Sequence, residues 1–335
     1  GRIDLTQAEA VLDLVHASSE LGSALAVQQL QGKLYHAIEE VKKQVVATAS
    51  LVEASIEFPE EDVEFVHRDE CLRQIEQACA DLEKLLFHAD QGLRVREGFS
   101  VALIGRPNVG KSSLLNRLLR DQRAIVTTVP GTTRDYIEES IQIKGIAFRL
   151  TDTAGIRNTK DLIESEGIRQ TRNVLSRSDL VLLILDAGEK LNDEDLKLIR
   201  DIEKNKTFNV INKIDLLSGR EPDWLKEISV MESVLVSAKT GEGCDELESR
   251  LYDKATLGGL PHKDEIWITN RRQQQAAERA LKSLLLAGQG LEQSKGEEFI
   301  AVDLRSCLNA LGDVVGQTTP DDLLGQIFSE FCIGK

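Results

Sequence analysis

The sequence has 335 residues, 41% hydrophobic and 29% charged, with 41 Lys and Arg against 56 Asp and Glu for a net charge of −15. The length suits about two domains, and the composition is that of a soluble globular chain. No run approaches the roughly 18 uninterrupted apolar residues of a membrane helix, and so acidic a chain has no general phosphate-binding footprint, so any nucleic-acid contact must be a local patch or come from a partner.

Residues 1–97 carry most of the excess charge, with 9 basic and 19 acidic residues. They read as helices. Leu30, Leu34, Ile38, Val41, Val45, Ala49, Val52 and Ile56 recur at spacings of three and four, which predicts one long amphipathic helix. Pro59 and the acidic cluster Glu60-Glu61-Asp62 end it. A second helix follows, with Leu72, Ile75, Cys79, Leu82, Leu85 and Leu86 on one face. His16, His36, His67 and His88 stand alone and suggest packing or surface positions rather than chemistry. The five cysteines (71, 79, 244, 307 and 332) include no C-x-x-C pair, which suits a reduced, cytoplasmic protein. The chain opens Gly1-Arg2-Ile3-Asp4 without a Met, as a fragment or a processed product would.

From about Gly98 the pattern changes. Short apolar runs at 99–104, 136–143, 146–151, 180–185, 207–211 and 233–236 alternate with helical segments. That alternation predicts a mostly parallel sheet covered by helices, with one antiparallel pair turning through Lys144-Gly145. After Leu257-Gly258-Gly259-Leu260-Pro261 helices resume, at 276–286, 299–311 and 321–331. The flanking helical parts, 1–97 and 258–335, are each small. They read as one all-α domain into which an α/β domain, 98–257, is inserted.

Three motifs give the inserted domain its chemistry. Gly105-Arg106-Pro107-Asn108-Val109-Gly110-Lys111-Ser112 matches the phosphate-binding loop G-x-x-x-x-G-K-[ST], set between a strand and a helix that begins near Ser113. Its backbone N–H groups cradle phosphate oxygens, Lys111 reaches the terminal phosphates, and Ser112 is a magnesium ligand. Asp152-Thr153-Ala154-Gly155 ends another strand. The Asp senses magnesium, and the Gly155 N–H can bond the γ-phosphate and move the next segment when that phosphate is lost. Asn212-Lys213-Ile214-Asp215 supplies a carboxylate that accepts bonds from the guanine N1–H and 2-amino group, which adenine lacks. Ser237-Ala238-Lys239 closes the base pocket through backbone N–H groups. Together they predict a Ras-like P-loop GTPase domain that binds GTP and GDP. Between the first two motifs, the loop Thr127 to Asp135 stands where a first switch belongs, and Thr133 is its magnesium-ligand candidate.

One expected residue is missing. Ras-like enzymes orient the attacking water with a Gln directly after Asp-x-x-Gly. Here that position is Ile156, which can neither orient nor deprotonate water. An arginine finger, worth about 10³–10⁵ in rate, or a monovalent cation near the phosphates could compensate. Asn108 is placed to ligate such a cation, and Glu164 or Glu166 could position water.

Over nearly its whole length the sequence resembles the bacterial MnmE (TrmE) family of tRNA modification GTPases. The likeness rests on Gly1 to Leu14, on Asn108 with Gly131-Thr132-Thr133-Arg134-Asp135, and on the end Phe331-Cys332-Ile333-Gly334-Lys335. The resemblance implies a helical domain interrupted by the GTPase domain and activation by potassium-dependent dimerisation of GTPase domains. It implies potassium ligation by Asn108 and the loop residues Thr127, Val129 and Thr132, magnesium at Ser112 and Thr133, and a nucleophilic water held through Glu164. Arg157 would be a switch residue, and Ser113 and Gly155 part of the nucleotide site. Cys332 would face the modification chemistry, although a buried small apolar side chain is the competing reading. The family works with the flavoprotein MnmG. Together they place an aminomethyl-type group on carbon 5 of the wobble uridine of tRNA, using a folate one-carbon unit. The family's N-terminal folate-binding domain, and with it the folate site, is expected to be absent from this chain. A GTP-dependent assembly factor of the Era or Der type shares the Gly131-Thr132-Thr133-Arg134 loop, but would need an RNA-binding module or a second GTPase repeat.

Overall fold

The computed structural model describes residues 3–57, 68–121, 138–152, 174–217, 222–228, 232–257, 259 and 265–316. It divides into two compact units. One comprises residues 1–17, 21–96 and 260–335, and the other residues 18–20 and 97–259.

The helical unit holds α1 (Leu5–His16), α2 (Glu20–Leu30), α3 (Lys33–Glu57), α4 (Arg68–Phe87) and α5 (Ala89–Glu97) from the first part of the chain. The Arg271–Glu292 and Glu297–Val315 helices, here α9 and α10, come from the last part. Helix α1 starts on a reciprocal cap: the Asp4 carboxylate accepts from the Gln7 N–H at 3.1 Å, and the Gln7 side chain accepts from the Asp4 N–H at 3.2 Å. The apolar series beginning at Leu30 is not one helix. Leu30 ends α2, and Gly32 turns the chain at φ 77° before α3 begins. Glycine takes that left-handed conformation without the steric cost other residues meet.

One core unites both parts of the helical unit. Leu34, Ile38, Val41, Cys71, Ile75, Ala78, Cys79 and Leu82 pack with Ala276, Ala280, Leu284, Leu304, Cys307 and Leu311. Small residues on α9 let helices approach closely; a Cβ on Gly92 would run into the Ile268 carbonyl, so α5 also lies close to the 265–270 segment. A polar seam ties the same two parts. Arg272 donates to both oxygens of Glu9, at 2.9 and 2.8 Å, and also to the carbonyls of Asp313 and Val314. The buried Gln273 donates to Glu9 at 2.8 Å, and the buried Gln29 donates to the Thr269 hydroxyl at 2.7 Å. His88 stacks flat on Trp267, which places it in packing, not chemistry.

The α/β unit contains β1 (Phe99–Ile104), α6 (Lys111–Asp121), β2 (Glu138–Ile143), β3 (Ile146–Asp152), β4 (Leu180–Asp186), α7 (Asp193–Asp201), β5 (Thr207–Asn212), β6 (Ser233–Leu235) and α8 (Cys244–Ala255). Its six strands run in the order β2-β3-β1-β4-β5-β6. All neighbours are parallel except β2 and β3. Those two turn through Lys144 and Gly145, both at positive φ, the primed two-residue turn whose twist suits a hairpin. Every residue of β4 and β5 is buried, which is why β4 is an apolar run rather than an alternation; β5 buries Thr207, Asn209 and Asn212 among its apolar residues. Among the described residues, no helix is long and apolar enough to cross a membrane.

Candidate functional site

The described nucleotide signals all lie at the C-terminal ends of strands β1, β3, β5 and β6, where open α/β sheets place their ligands. The loop 105–110 leaves β1 and opens α6 with Lys111 as its first residue. Two glycines shape it. Gly105 at φ 149° lies against the Ile184 carbonyl of β4, and Gly110 at φ 98° lies against the Asn212 amide; a side chain at either position would collide with its neighbour. Asn108 adopts φ 66°, a left-handed conformation that Asn tolerates better than most residues, and it is exposed at the loop's tip. Val109 is buried beneath the loop, while Ser112 and Ser113 are exposed on the first turn of α6.

Lys111 is buried and donates to the carbonyls of Gly105 at 2.8 Å and Arg106 at 2.6 Å. Its ammonium is thus held inside the loop it belongs to. Ser112 donates its hydroxyl to Asp152 at 2.9 Å. Asp152 ends β3 in register with Leu103 of β1, so the strand pairing carries the two side chains together. A hydroxyl and a carboxylate oxygen side by side form a hard-oxygen donor set of the kind magnesium takes.

On the base side, the buried Asn212 joins two loops. Its amide donates to the Val109 carbonyl at 2.9 Å, and its oxygen accepts from the Ala238 N–H at 3.0 Å. Asp215 accepts from the buried Ser237 hydroxyl at 2.7 Å, and that hydroxyl also accepts from the Thr240 N–H at 3.1 Å. Lys239 is exposed beside them. Lys213 sits at φ 68°. Its ammonium pairs at 2.6 Å with Asp186, a buried carboxylate at the end of β4 that also accepts from the Gly188 N–H at 2.9 Å.

Two groups in this neighbourhood stand outside the sequence motifs. Asp186 is one; its only signal is an acid closing the apolar run 180–185. The other is Asp195, which pairs with Arg106 of the phosphate loop. The Arg106 guanidinium donates to Asp195 at 2.8 Å and to Glu189 at 3.1 Å. Partial burial works against its charge, but the bond and attraction of Asp195, then those of Glu189, leave its pKa raised. Asn192-x-x-Asp195 is a reciprocal helix cap, and nothing in the sequence around it marks its acid as an arginine site.

Thr127, Val129, Thr132 and Thr133 of the first switch, Gly155, Ile156, Arg157, Glu164 and Glu166 of the second, and Cys332 lie outside the described residues. The described members, Asn108 to Ser113, Asp152, Asn212, Lys213, Asp215, Ser237, Ala238 and Lys239, lie on adjoining loops at one end of the sheet.

A phosphate loop opening a helix, an acid beside its serine and a carboxylate fixed by the hydroxyl of the Ser-Ala-Lys loop, on a mostly parallel sheet, define a P-loop GTPase domain. The family model for the MnmE helical domain matches residues 5–332. The chain is 42% identical to the tRNA modification GTPase MnmE of Alkaliphilus oremlandii and 43% identical to that of Syntrophus aciditrophicus, covering all of this chain and 73% of each relative. It belongs to the MnmE family of tRNA modification GTPases. Among solved structures, the G domain of the T. maritima FeoB iron transporter aligns at 29% identity over 47% of this chain and 98% of its own, with a TM-score of 0.36.

Proposed function

We propose that this chain binds and hydrolyses GTP as part of the modification of tRNA at the wobble uridine, in the cytoplasm. The partner is a flavoprotein of the MnmG kind, and the product carries an aminomethyl-type group on carbon 5 built from a folate one-carbon unit. The observation that carries the nucleotide choice is Asp215, fixed by the Ser237 hydroxyl at the mouth of a loop that Asn212 braces. A carboxylate held in this way accepts the two donors of guanine and finds no match in adenine. The tRNA reading is supported by family membership over the whole chain.

The residues divide the work. Loop N–H groups from Asn108 to Ser113 bind the phosphates, and Lys111 neutralises their charge. Ser112 and Asp152 would hold magnesium, together with Thr133. When bound, the ion would offset negative charge developing on the phosphates in the transition state. Asn108, with Thr127, Val129 and Thr132, would hold potassium, and its side-chain oxygen is a hard neutral donor suited to an alkali cation. Glu164 would orient the attacking water, with Gly155 and Thr132 binding the reacting phosphoryl group. The modification chemistry itself would involve Cys332. This set leaves Ile156 no catalytic part and needs no arginine finger.

The test compares potassium with sodium. Elution volume with GDP and aluminium fluoride, and the rate of GTP hydrolysis, are measured in each salt. The reading predicts a dimer and faster hydrolysis in potassium alone. Equal rates and equal elution in both salts would remove the cation and the dimer from the mechanism.

A further inference from the structure

We propose that Asp195 is a positioning residue for the phosphate loop, acting through Arg106. The proposal rests on the reading of this site as a GTP site. Asp195 contributes nothing to any nucleotide motif, yet it is buried to 1% exposure and aims one oxygen at the Arg106 guanidinium, 2.8 Å away. Its other oxygen accepts from the Asn192 N–H at 3.2 Å, so the carboxylate is fixed by the start of α7 and cannot follow the loop if the loop moves. Arg106 is held at its far end by Glu189 as well. The backbone of the same residue carries the next link: the Arg106 carbonyl accepts from the Lys111 ammonium at 2.6 Å. A continuous chain therefore runs from the start of α7, through Arg106, to the lysine that meets the terminal phosphates.

The physical consequence is preorganisation. A phosphate loop whose second residue is anchored from outside presents its N–H groups without a further ordering cost when the nucleotide enters. Glycines at Gly105 and Gly110 leave the loop's own backbone with much freedom to lose, so an external anchor has more to contribute. Asp186, nine residues earlier, performs a parallel task on the base side by holding Lys213. The stretch from the last residue of β4 to the first turn of α7 thus braces both halves of the nucleotide site, through contacts that no sequence motif records.

Asp195→Asn isolates this function. The amide oxygen can still accept from the Asn192 N–H, so the helix cap survives, but the charge facing Arg106 is gone. Binding of GDP and of ADP is measured by titration calorimetry on the full chain, with GTP turnover and thermal unfolding in parallel. The expected result is an affinity for GDP weakened by about tenfold or more, the scale of one hydrogen bond to a charged group, with preference for GDP over ADP retained. The KM for GTP rises by a similar factor while kcat at saturation holds, because the anchor serves ground state and transition state alike. Arg106→Gln produces the same loss, and the double variant is no worse than either single one. Wild-type affinity in a folded Asp195→Asn, or additive losses in the double variant, would overturn the proposal. If Asp195→Asn fails to fold, Arg106→Gln decides alone: a folded variant with wild-type GDP affinity overturns it. A wild-type chain that binds no GDP would instead remove the functional reading on which this stands.

Discussion

Asn212 offers the sharpest structural prediction. It is buried at 1% exposure, and both ends of its amide are used: Nδ2 donates to Val109 of the phosphate loop, and Oδ1 accepts from Ala238 of the guanine loop. Asn212→Ala leaves one carbonyl and one N–H without their partner. Each such loss costs about 1–3 kcal/mol when the orphaned group stays dry. The Val109 carbonyl is the better sequestered, so the total should fall near 2–4 kcal/mol, divided between unfolding stability and nucleotide affinity. If about half appears in binding, GDP affinity falls roughly 5- to 30-fold. Asn212→Asp is the discriminating companion. Its carboxylate can still accept from Ala238, but it turns an acceptor toward the Val109 carbonyl, replacing attraction by repulsion. Urea unfolding and GDP titration measure both effects. Asn212→Asp should be no better than Asn212→Ala in either. An Asn212→Asp protein with wild-type stability and affinity would refute the brace.

Three further outcomes follow from the described contacts. Asp215→Asn changes the carboxylate proposed to accept from the guanine N1–H and should shift preference from GDP toward xanthosine diphosphate, checked by competitive titration. Arg272→Ala breaks the two-pronged contact with Glu9 and the capture of the Asp313 and Val314 carbonyls; because the pair is partly exposed, the loss should be about 2 kcal/mol in urea unfolding of the helical unit, and Arg272→Lys should recover only part of it. Burial pushes the Cys79 thiol up to about 11 and the Cys307 thiol up to about 12, from 9.0. The folded chain therefore favours the neutral thiols. Their contribution to stability is complete below pH 9.0 and is lost as pH rises toward those folded values. At pH 8 both thiols should resist alkylation in the native protein and react once it is denatured, read by mass spectrometry of their peptides.

The insertion of an α/β domain in a helical one was legible because the two parts bury their surfaces differently. Strand β4 is covered on both faces, so it shows as an unbroken apolar run up to Asp186, while α3 and α4 bury one stripe each and keep the helical period. The Lys144-Gly145 turn was legible because few residue pairs suit a primed turn. The break at Gly32 was hidden, since the apolar spacing from Leu30 runs across it without a fault; only the positive φ of one glycine separates α2 from α3. The motif residues could be picked out because each motif is a short local pattern, and the fold gathers the described ones at one end of the sheet. The braces could not. Asp186 meets Lys213, 27 positions on, and Arg106 meets Asp195, 89 positions on. Nothing near either acid in sequence states which distant cation the sheet will bring to it.

The central claim is that one end of the sheet is built for GTP and turns it over. Phosphate release from GTP and from ATP, each supplied at equal concentration with magnesium in potassium buffer, tests it most directly. The account predicts release from GTP, none above background from ATP, and loss of the GTP signal in Lys111→Ala. Equal release from the two nucleotides, or release from GTP that survives Lys111→Ala, would contradict it.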